Sequence, residues 1–266
     1  MATGQWFNGR SLRNRFEADT GRGYNANIMN RFLSAARGFY ASCQLHESVS
    51  PGMEIVYRDL FLRELRKVGV EDDFFPVGSA ANHSLLYLIT RCSAELPISK
   101  VLEFGAGQTS LLLDRLTARL HERTVDITTI EQDQFWARKI GQQVRHPVIH
   151  AALVQKTVAG RTTFFYDSEQ LDSQEDIEFA IVDGPIACSR SSRWNRSGAA
   201  GYLSDRLAAD FVVIFDDTER RGESACADSF ERHLTARNIP HHCSTIKAEK
   251  QQRLFCSDNF RAAAYF

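Results

Sequence analysis

The alternation of strand-like and helical segments after Lys100 most constrains the fold of this chain. Short apolar runs are followed by segments in which apolar residues repeat at helical spacing. Strands separated by such helices indicate an α/β fold with a mostly parallel sheet. We predict strands at 100–104, 126–130, 148–154, 179–182 and 211–215, a short extra strand at 162–166, and two last strands at 242–246 and 253–257.

The segment before Lys100 has a helical pattern in three stretches, after a polar start at 1–27. Ile28 to Cys43, Val56 to Val68 and Leu85 to Cys92 each carry apolar residues at helical spacing. We therefore predict two parts, an N-terminal helical extension or cap at 1–97 and a ligand-binding core at 98–266.

A glycine turn follows the first predicted strand. The apolar run that begins at Val101 ends at Glu103-Phe104, continues as Gly105-Ala106-Gly107, and leads into a helical segment at Ser110. Glycines allow a tight turn and a close approach of a ligand to the backbone, and the following helix directs unpaired N–H groups to the same place. The turn therefore indicates a nucleotide-type site, and the alternative is a strand–turn–helix junction that binds nothing.

The charge next to this turn distinguishes between two ligands. A dinucleotide would bring a pyrophosphate, which the Glu103 carboxylate would repel, and Ser110 stands where the dinucleotide fingerprint has Gly or Ala. S-adenosylmethionine instead brings an ammonium and a sulfonium, both of which a carboxylate attracts. Electrostatics therefore favour S-adenosylmethionine over a nicotinamide cofactor.

The segment from Val101 to Ser110 resembles motif I of the class I S-adenosylmethionine-dependent methyltransferases, and the resemblance covers roughly 98–260. It implies a Rossmann-like sheet of seven mostly parallel strands with flanking helices, the class I methyltransferase fold. The cofactor-binding residues that we predict are Glu103, Gly105, Ala106, Gly107, Ser110, Glu131, Gln132 and Asp183.

Glu131 ends the second predicted strand, where a carboxylate can accept both hydroxyls of a ribose. The family uses an acid at this place for the cofactor ribose. Because NAD also contains ribose, Glu131 supports a nucleoside ligand without choosing between the two cofactors. The alternative is a surface acid near a helix N-terminus.

Three acids follow the next two strands of the predicted sheet. Asp183 ends one strand and Asp216-Asp217 end the next, so these carboxylates should converge. Converging like charges need a positive partner, either Mg²⁺ or another divalent cation bound by all three acids, or arginine. Metal-dependent O-methyltransferases of this superfamily place acids at similar points, often as Asp-Asn rather than Asp-Asp. We predict Asp183 and Asp216 as catalytic residues; the alternative is that Asp217 or Thr218 caps the next helix.

An arginine-rich loop at 188–198 supplies the other partner. We predict that Arg190, Arg193 and Arg220 bind an anionic substrate, because guanidinium groups form planar pairs with carboxylates and phosphates. They could instead pair with the aspartates or face solvent. Trp194 could pin this loop to the core or stack on a substrate.

Composition limits the classes of partner. A net charge of −1 argues against a general nucleic-acid binder, and the apolar runs are too short to cross a bilayer. Six cysteines without a Cys-x-x-Cys pair, together with an N-terminus that lacks a secretory pattern, predict a cytoplasmic protein. A homodimer stays open.

These observations together predict an S-adenosylmethionine-dependent methyltransferase. The predicted reaction is O-methylation of a small-molecule or glycan-like anionic acceptor, with or without a divalent metal. The alternatives are a nicotinamide-dependent oxidoreductase and a non-catalytic S-adenosylmethionine-binding module.

Overall fold

A computed structural model describes Ser34 and residues 49–266, apart from 79, 121–123 and 172–173. The helix expected at 28–43 and the rest of the extension before residue 49 lie outside the described residues. The helices expected around Val56 and Leu85 are present.

The described helices and strands follow the predicted alternation. The helices are α1 (Met53–Val68), α2 (His83–Glu95), α3 (Gln108–Arg119), α4 (Gln134–Gly141), α5 (Gly198–Ser204) and α6 (Arg221–Ala236). The strands are β1 (Lys100–Phe104), β2 (Asp126–Glu131), β3 (Val148–His150), β4 (Leu153–Val158), β5 (Arg161–Tyr166), β6 (Ile177–Val182), β7 (Leu207–Phe215), β8 (His242–Lys247) and β9 (Gln251–Cys256).

Within the described part of the chain, seven strands form one sheet in the order β3-β2-β1-β6-β7-β9-β8. The strands from β3 to β7 pair in parallel, while β9 is antiparallel to both β7 and β8. The chain therefore has the class I methyltransferase fold that the resemblance implied. Because β9 alone runs in the opposite direction in this described sheet, its first residues lie at the edge where the parallel strands end.

The strand predicted at 148–154 is wrong in its extent. The strand β3 ends at His150, and the chain then enters a separate antiparallel hairpin of β4 and β5. The short strand expected at 162–166 is the second arm of this hairpin. The apolar run continues through Val154. In the rest of β4 the exposed Gln155 and Thr157 alternate with the half-buried Lys156 and Val158, which suits a hairpin with one solvated face.

Two apolar cores cover the two faces of the main sheet. Successive residues of a strand point to opposite faces, so Val101 belongs to one core and Leu102 to the other. The first core contains side chains of α1, α2 and α3, among them Phe61, Leu85 and Leu112. The second contains side chains of β5, α5 and α6, among them Phe165, Ala199 and Phe230. Buried on both faces, the central strands are continuous apolar runs.

In the part of the chain that the structure describes, none of the helices combines the length and the apolar character needed to cross a bilayer. The described cysteines, Cys92, Cys188, Cys226, Cys243 and Cys256, are free thiols.

Candidate functional site

The loops after β1, β2, β6 and β7 form a cleft of about 420 Å³ at the carboxyl edge of the sheet. This is where open α/β sheets bind their ligands. The cleft brings together most of the predicted cofactor residues and one predicted substrate residue, which are Gly105, Ala106, Glu131, Gln132, Asp183 and Arg220. Phe135, Trp136 and Ile186 add apolar surface to its wall.

Two glycine backbones pack against each other at the floor of the cleft. Gly105 has a φ of 95°, which non-glycine residues rarely adopt, and a Cβ there would lie 3.0 Å from the Asp183 carbonyl. A Cβ on Gly184 would lie 2.6 Å from the amide nitrogen of Gly105 and 2.4 Å from the hydroxyl of Tyr166. The loops after β1 and β6 can therefore meet only because both positions lack a side chain.

Glu103 and Ser110 lie beneath the glycine turn rather than in the cleft. Glu103 is fully buried, and its Oε2 accepts hydrogen bonds from Ser110 Oγ at 2.5 Å and from Thr129 Oγ1 at 2.7 Å. Ser110 Oγ in turn accepts from the amide of Gly107 at 3.0 Å. Glu103 thus supports the turn through Ser110. Burial raises the pKa of Glu103 to about 7.

Glu131 holds two loops together at the rim of the cleft. Its carboxylate accepts hydrogen bonds from the amides of Ala106 at 2.9 Å and Asp133 at 2.8 Å. Asp133 caps α4 by accepting a hydrogen bond from the amide of Trp136 at 2.7 Å. The Trp136 indole then donates to the carbonyl of Ala106 at 2.6 Å. The glycine turn is therefore fastened to the end of β2 from two sides.

The three predicted acids converge, and buried cations lie among them. The Arg196 guanidinium reaches Asp183 at 3.0 Å and Asp217 at 3.2 Å, while Lys250 Nζ lies 3.3 Å from Asp217 and 3.5 Å from Asp216. Arg220 adds a contact to Asp217 at 2.9 Å. The carboxylates are thus paired with cations from three different segments. This agrees with the alternative in which arginine is the positive partner, and a lysine takes part as well.

These acids do not fit a divalent metal as they are arranged. Their oxygens lie within 4.8 Å of one another, a spacing suited to a shared ion. However, the Arg196 and Lys250 side chains already occupy the positions next to those oxygens, and both are largely buried. A divalent cation would have to approach two buried positive charges, which costs far more than it would among free carboxylates.

Burial and charge act differently on the three acids. Burial and the negative charge of Asp216 raise the pKa of Asp183, and burial together with Asp217 raises that of Asp216. Burial opposes ionisation of Asp217 too, but Arg196 and Lys250 prevail and lower its pKa. Asp217 also has a φ of 59°, a left-handed conformation that costs a non-glycine residue about 1 kcal/mol or more. Strain and paired charge thus coincide at this residue.

Asp183 and Asp216 differ in their access to a ligand. Asp183 lines the cleft with a side chain that is 20% exposed, whereas the Asp216 side chain is fully enclosed. Asp216 Oδ1 accepts from Gln252 Nε2 at 2.7 Å.

The interpretation of Asp217 or Thr218 as a helix cap is wrong, because α6 begins at Arg221 and Arg220 precedes it.

Arg190 and Arg193 lie beside the cleft, in a neighbouring cavity that Arg220 also lines. The Trp194 ring is covered by the Arg161 guanidinium at 4.2 Å, and its carbonyl accepts a hydrogen bond from Thr163 Oγ1 at 2.6 Å. Trp194 therefore holds the arginine-rich loop against the β4–β5 hairpin, whereas the pinning interpretation expected a contact with the core.

Sequence reasoning missed Arg196, Lys250 and Gln252 as members of the site. Arg196 is one of several arginines in the same loop. It differs from the others in being only 5% exposed, which becomes visible only when the fold is known. Lys250 lies directly before β9 and Gln252 lies within it, and the reversed direction of this strand brings both to the acids. The signal that could have found them is the antiparallel last strand of the fold.

No family model matches this chain, and no curated protein matches it. Solved structures do. It is similar to an SAH-bound methyltransferase of Podospora anserina, PaMTH1, at 14% identity and a TM-score of 0.42, over 84% of this chain and 94% of that one. It is also similar to an O-methyltransferase from Bacillus cereus in complex with SAH, at 12% identity and a TM-score of 0.45, over 75% of this chain and 91% of that one. The METTL16 MTase domain matches at 12% identity and a TM-score of 0.42, over 82% and 91% of the two chains. At these values the fold rests on the strand order of the sheet itself.

Proposed function

We propose that this chain is an S-adenosylmethionine-dependent methyltransferase that methylates an oxygen of a small or glycan-like anionic acceptor without a metal ion. The observation that carries the proposal is an opposition of charge between two adjoining cavities. The cleft at the glycine turn is acidic, and the cavity beside it is basic.

The charge of the cleft suits a cationic cofactor. Four acids line it, Glu131, Asp133, Asp183 and Asp217, against two arginines, Arg196 and Arg220. The excess is two negative charges when every acid is ionised and one when Asp183, whose pKa burial raises to about 8, is protonated. This excess would attract a sulfonium and an ammonium and would repel the pyrophosphate of a nicotinamide dinucleotide. The cleft therefore supports the first cofactor over the second.

The residues around the turn would hold the cofactor by position. Gly105 and Gly184 leave the floor of the cleft free of side chains, and Glu131 retains lone pairs for a ribose beyond its two amide contacts. The apolar rings of Phe135 and Trp136 are exposed beside it. Bound there, the cofactor would supply an electrophilic methyl group on sulfur.

Asp183 would act as the general base for the acceptor hydroxyl. It faces the cleft, and its raised pKa brings a carboxylate closer to the range in which it can accept a proton from oxygen. Asp216 cannot touch an acceptor from its enclosed place, so we assign it a positioning role through Lys250 and Gln252. The paired cations of Arg196 and Lys250 support a version without metal.

Calorimetry with S-adenosylmethionine tests the proposal. Wild-type protein should bind it, and Gly105→Arg should abolish binding because the side chain would meet the Asp183 backbone. Gly52→Arg is the matched control, since a Cβ at position 52 meets nothing within 4 Å. Failure of the wild type to bind, or unchanged binding by Gly105→Arg, would contradict the proposal.

Two further measurements separate the alternatives. If the chain is an oxidoreductase, the fluorescence of NADH should change when it is mixed with the protein. The acidic cleft argues against this result. A non-catalytic module predicts that cofactor binds while no acceptor in a broad anionic screen is methylated.

A further inference from the structure

The basic cavity beside the cleft has about the same volume, 420 Å³. It shares Ala187, Cys188 and Arg220 with the cleft, so a molecule bound in it would adjoin the reacting centre. Its charged lining consists of four arginines and one acid, which are Arg190, Arg193, Arg220, Arg221 and Glu223. The lining therefore carries an excess of three positive charges.

Three of these arginines have no carboxylate partner among the described residues. In the described residues no ion pair joins Arg190, Arg193 or Arg221 to an acid. Arg220 differs, because it pairs with Asp217 at 2.9 Å and lies 3.9 Å from Glu223. Unpaired guanidinium groups that gather around one concave surface repel one another, so a bound anion would stabilise them.

A tight backbone contact holds the two sides of the cavity together. A Cβ on Gly222 would lie 1.7 Å from the carbonyl oxygen of Arg193, so glycine alone allows the arginine-rich loop to approach the first turn of α6 this closely. The contact places Arg193 of the loop next to Arg221 of the helix. Arg220, the N-cap of α6, makes no side-chain cap hydrogen bond, and the N-terminal end of this helix adds partial positive charge at the same place.

From this we infer that the cavity binds the phosphoryl group of the acceptor, so that the substrate is a small phosphate monoester with a free hydroxyl. The inference rests on the proposed function for the hydroxyl but not for the anion site. A carboxylate carries one charge, which a single guanidinium satisfies, whereas a phosphate monoester carries about −1.5 to −2 and three acceptor oxygens. Three unpaired arginines match the second.

Calorimetric titration with inorganic phosphate at constant ionic strength tests the site, with acetate as the carboxylate probe. Phosphate should bind at least tenfold more tightly than acetate. Arg193→Gln and Arg221→Gln should each raise the Kd for phosphate roughly tenfold or more. Arg221 is exposed, so its replacement removes charge without disturbing the core. Arg261→Gln, at another exposed arginine, is the control and should leave the Kd unchanged.

Equal binding of acetate and phosphate would overturn the inference, as would absence of phosphate binding or an equal loss in Arg261→Gln. A hexose phosphate should compete with inorganic phosphate, and vesicles that contain phosphatidic acid should not bind. Vesicle binding that depends on Arg221 would overturn the small-molecule assignment. Phosphate binding in a protein that ignores S-adenosylmethionine would refute the proposed function and leave the anion site standing.

Discussion

Arg196 donates a hydrogen bond from Nη2 to Oδ1 of Asp183 across 3.0 Å, and the side chain of each residue is largely enclosed. The same guanidinium reaches Asp217 through Nη1 at 3.2 Å. One planar group thus links the acids that end β6 and β7. The separate N–H groups of a planar guanidinium suit this arrangement, because they can serve two carboxylates from different strands at once.

Replacing Arg196 by Gln should destabilise the protein by about 3–5 kcal/mol, because Asp183 and Asp217 would lose a buried partner. Urea unfolding measures this change. Arg145→Gln is the control: its pair with Asp114 has an arginine that is 64% exposed, and its loss should cost less than about 1 kcal/mol. Similar losses of unfolding free energy in the two variants would show that the buried Arg196 pairs stabilise the protein no more than an exposed ion pair does.

Replacing Asp183 by Asn should lower the rate of methyl transfer by about 10²–10⁴-fold if this carboxylate is the general base. Because the pKa of Asp183 is raised by burial, wild-type kcat/KM should increase with pH through that pKa as the carboxylate forms. The variant should lose this ascending limb. Asp72→Asn, at an exposed acid outside the cleft, should keep it. A limb that persists in Asp183→Asn would assign the base elsewhere.

Glu103 should make stability depend on pH. Its pKa rises from 4.5 to about 7 on folding, so between these values the native state binds more protons than the unfolded state. The contribution of Glu103 to the free energy of unfolding should therefore fall as pH rises through this window, by about 3 kcal/mol in total, and then level off. Asp183 and Asp216, whose pKa values are also raised, contribute to the slope of both proteins, so in denaturant titrations at several pH values the decline of the wild type should exceed that of Glu103→Gln by about 3 kcal/mol.

Glu169→Gln, at an exposed acid, is the matched comparison for Glu103 and should keep the wild-type slope. A parallel decline of wild type and Glu103→Gln would mean that another group carries the titration.

Chelation should leave turnover unchanged. Arg196 and Lys250 already neutralise the acid cluster, so EDTA should alter the initial rate by less than about twofold. A required metal supplies several kcal/mol of transition-state stabilisation, and its removal would lower the rate about a thousandfold. Loss of activity in EDTA that Mg²⁺ or Mn²⁺ restores would refute the version without metal.

The sequence predicted where the strands end, but it did not predict all of the side chains that contact one another at those ends. Gly105, Glu131, Asp183 and Asp216 each end an apolar run, and parallel strands carry such residues to one edge by construction. The direction of the last strand depends on pairing between distant segments, which local periodicity does not contain. Lys250 therefore escaped notice although it lies directly before β9.

Which arginines of the loop belong to the site also depends on the fold and not on the local sequence. Arg190, Arg193 and Arg196 share one loop and one side-chain chemistry, and only the fold decides that Arg196 is buried while Arg190 is exposed. The overextended third strand shows a related limit. An apolar pattern that crosses from β3 into β4 does not reveal that the chain changes partners at Ala151-Ala152.

The contact of Gly105 with Gly184 sets a rule for the whole lineage of sequences that share this cleft. Neither residue can acquire even one methyl group without parting the two loops, so the pair should tolerate no other amino acid. In a saturation library selected for cofactor capture, both codons should stay glycine. In a natural homologue that has another residue at either position, we expect the same fold without binding of the cofactor.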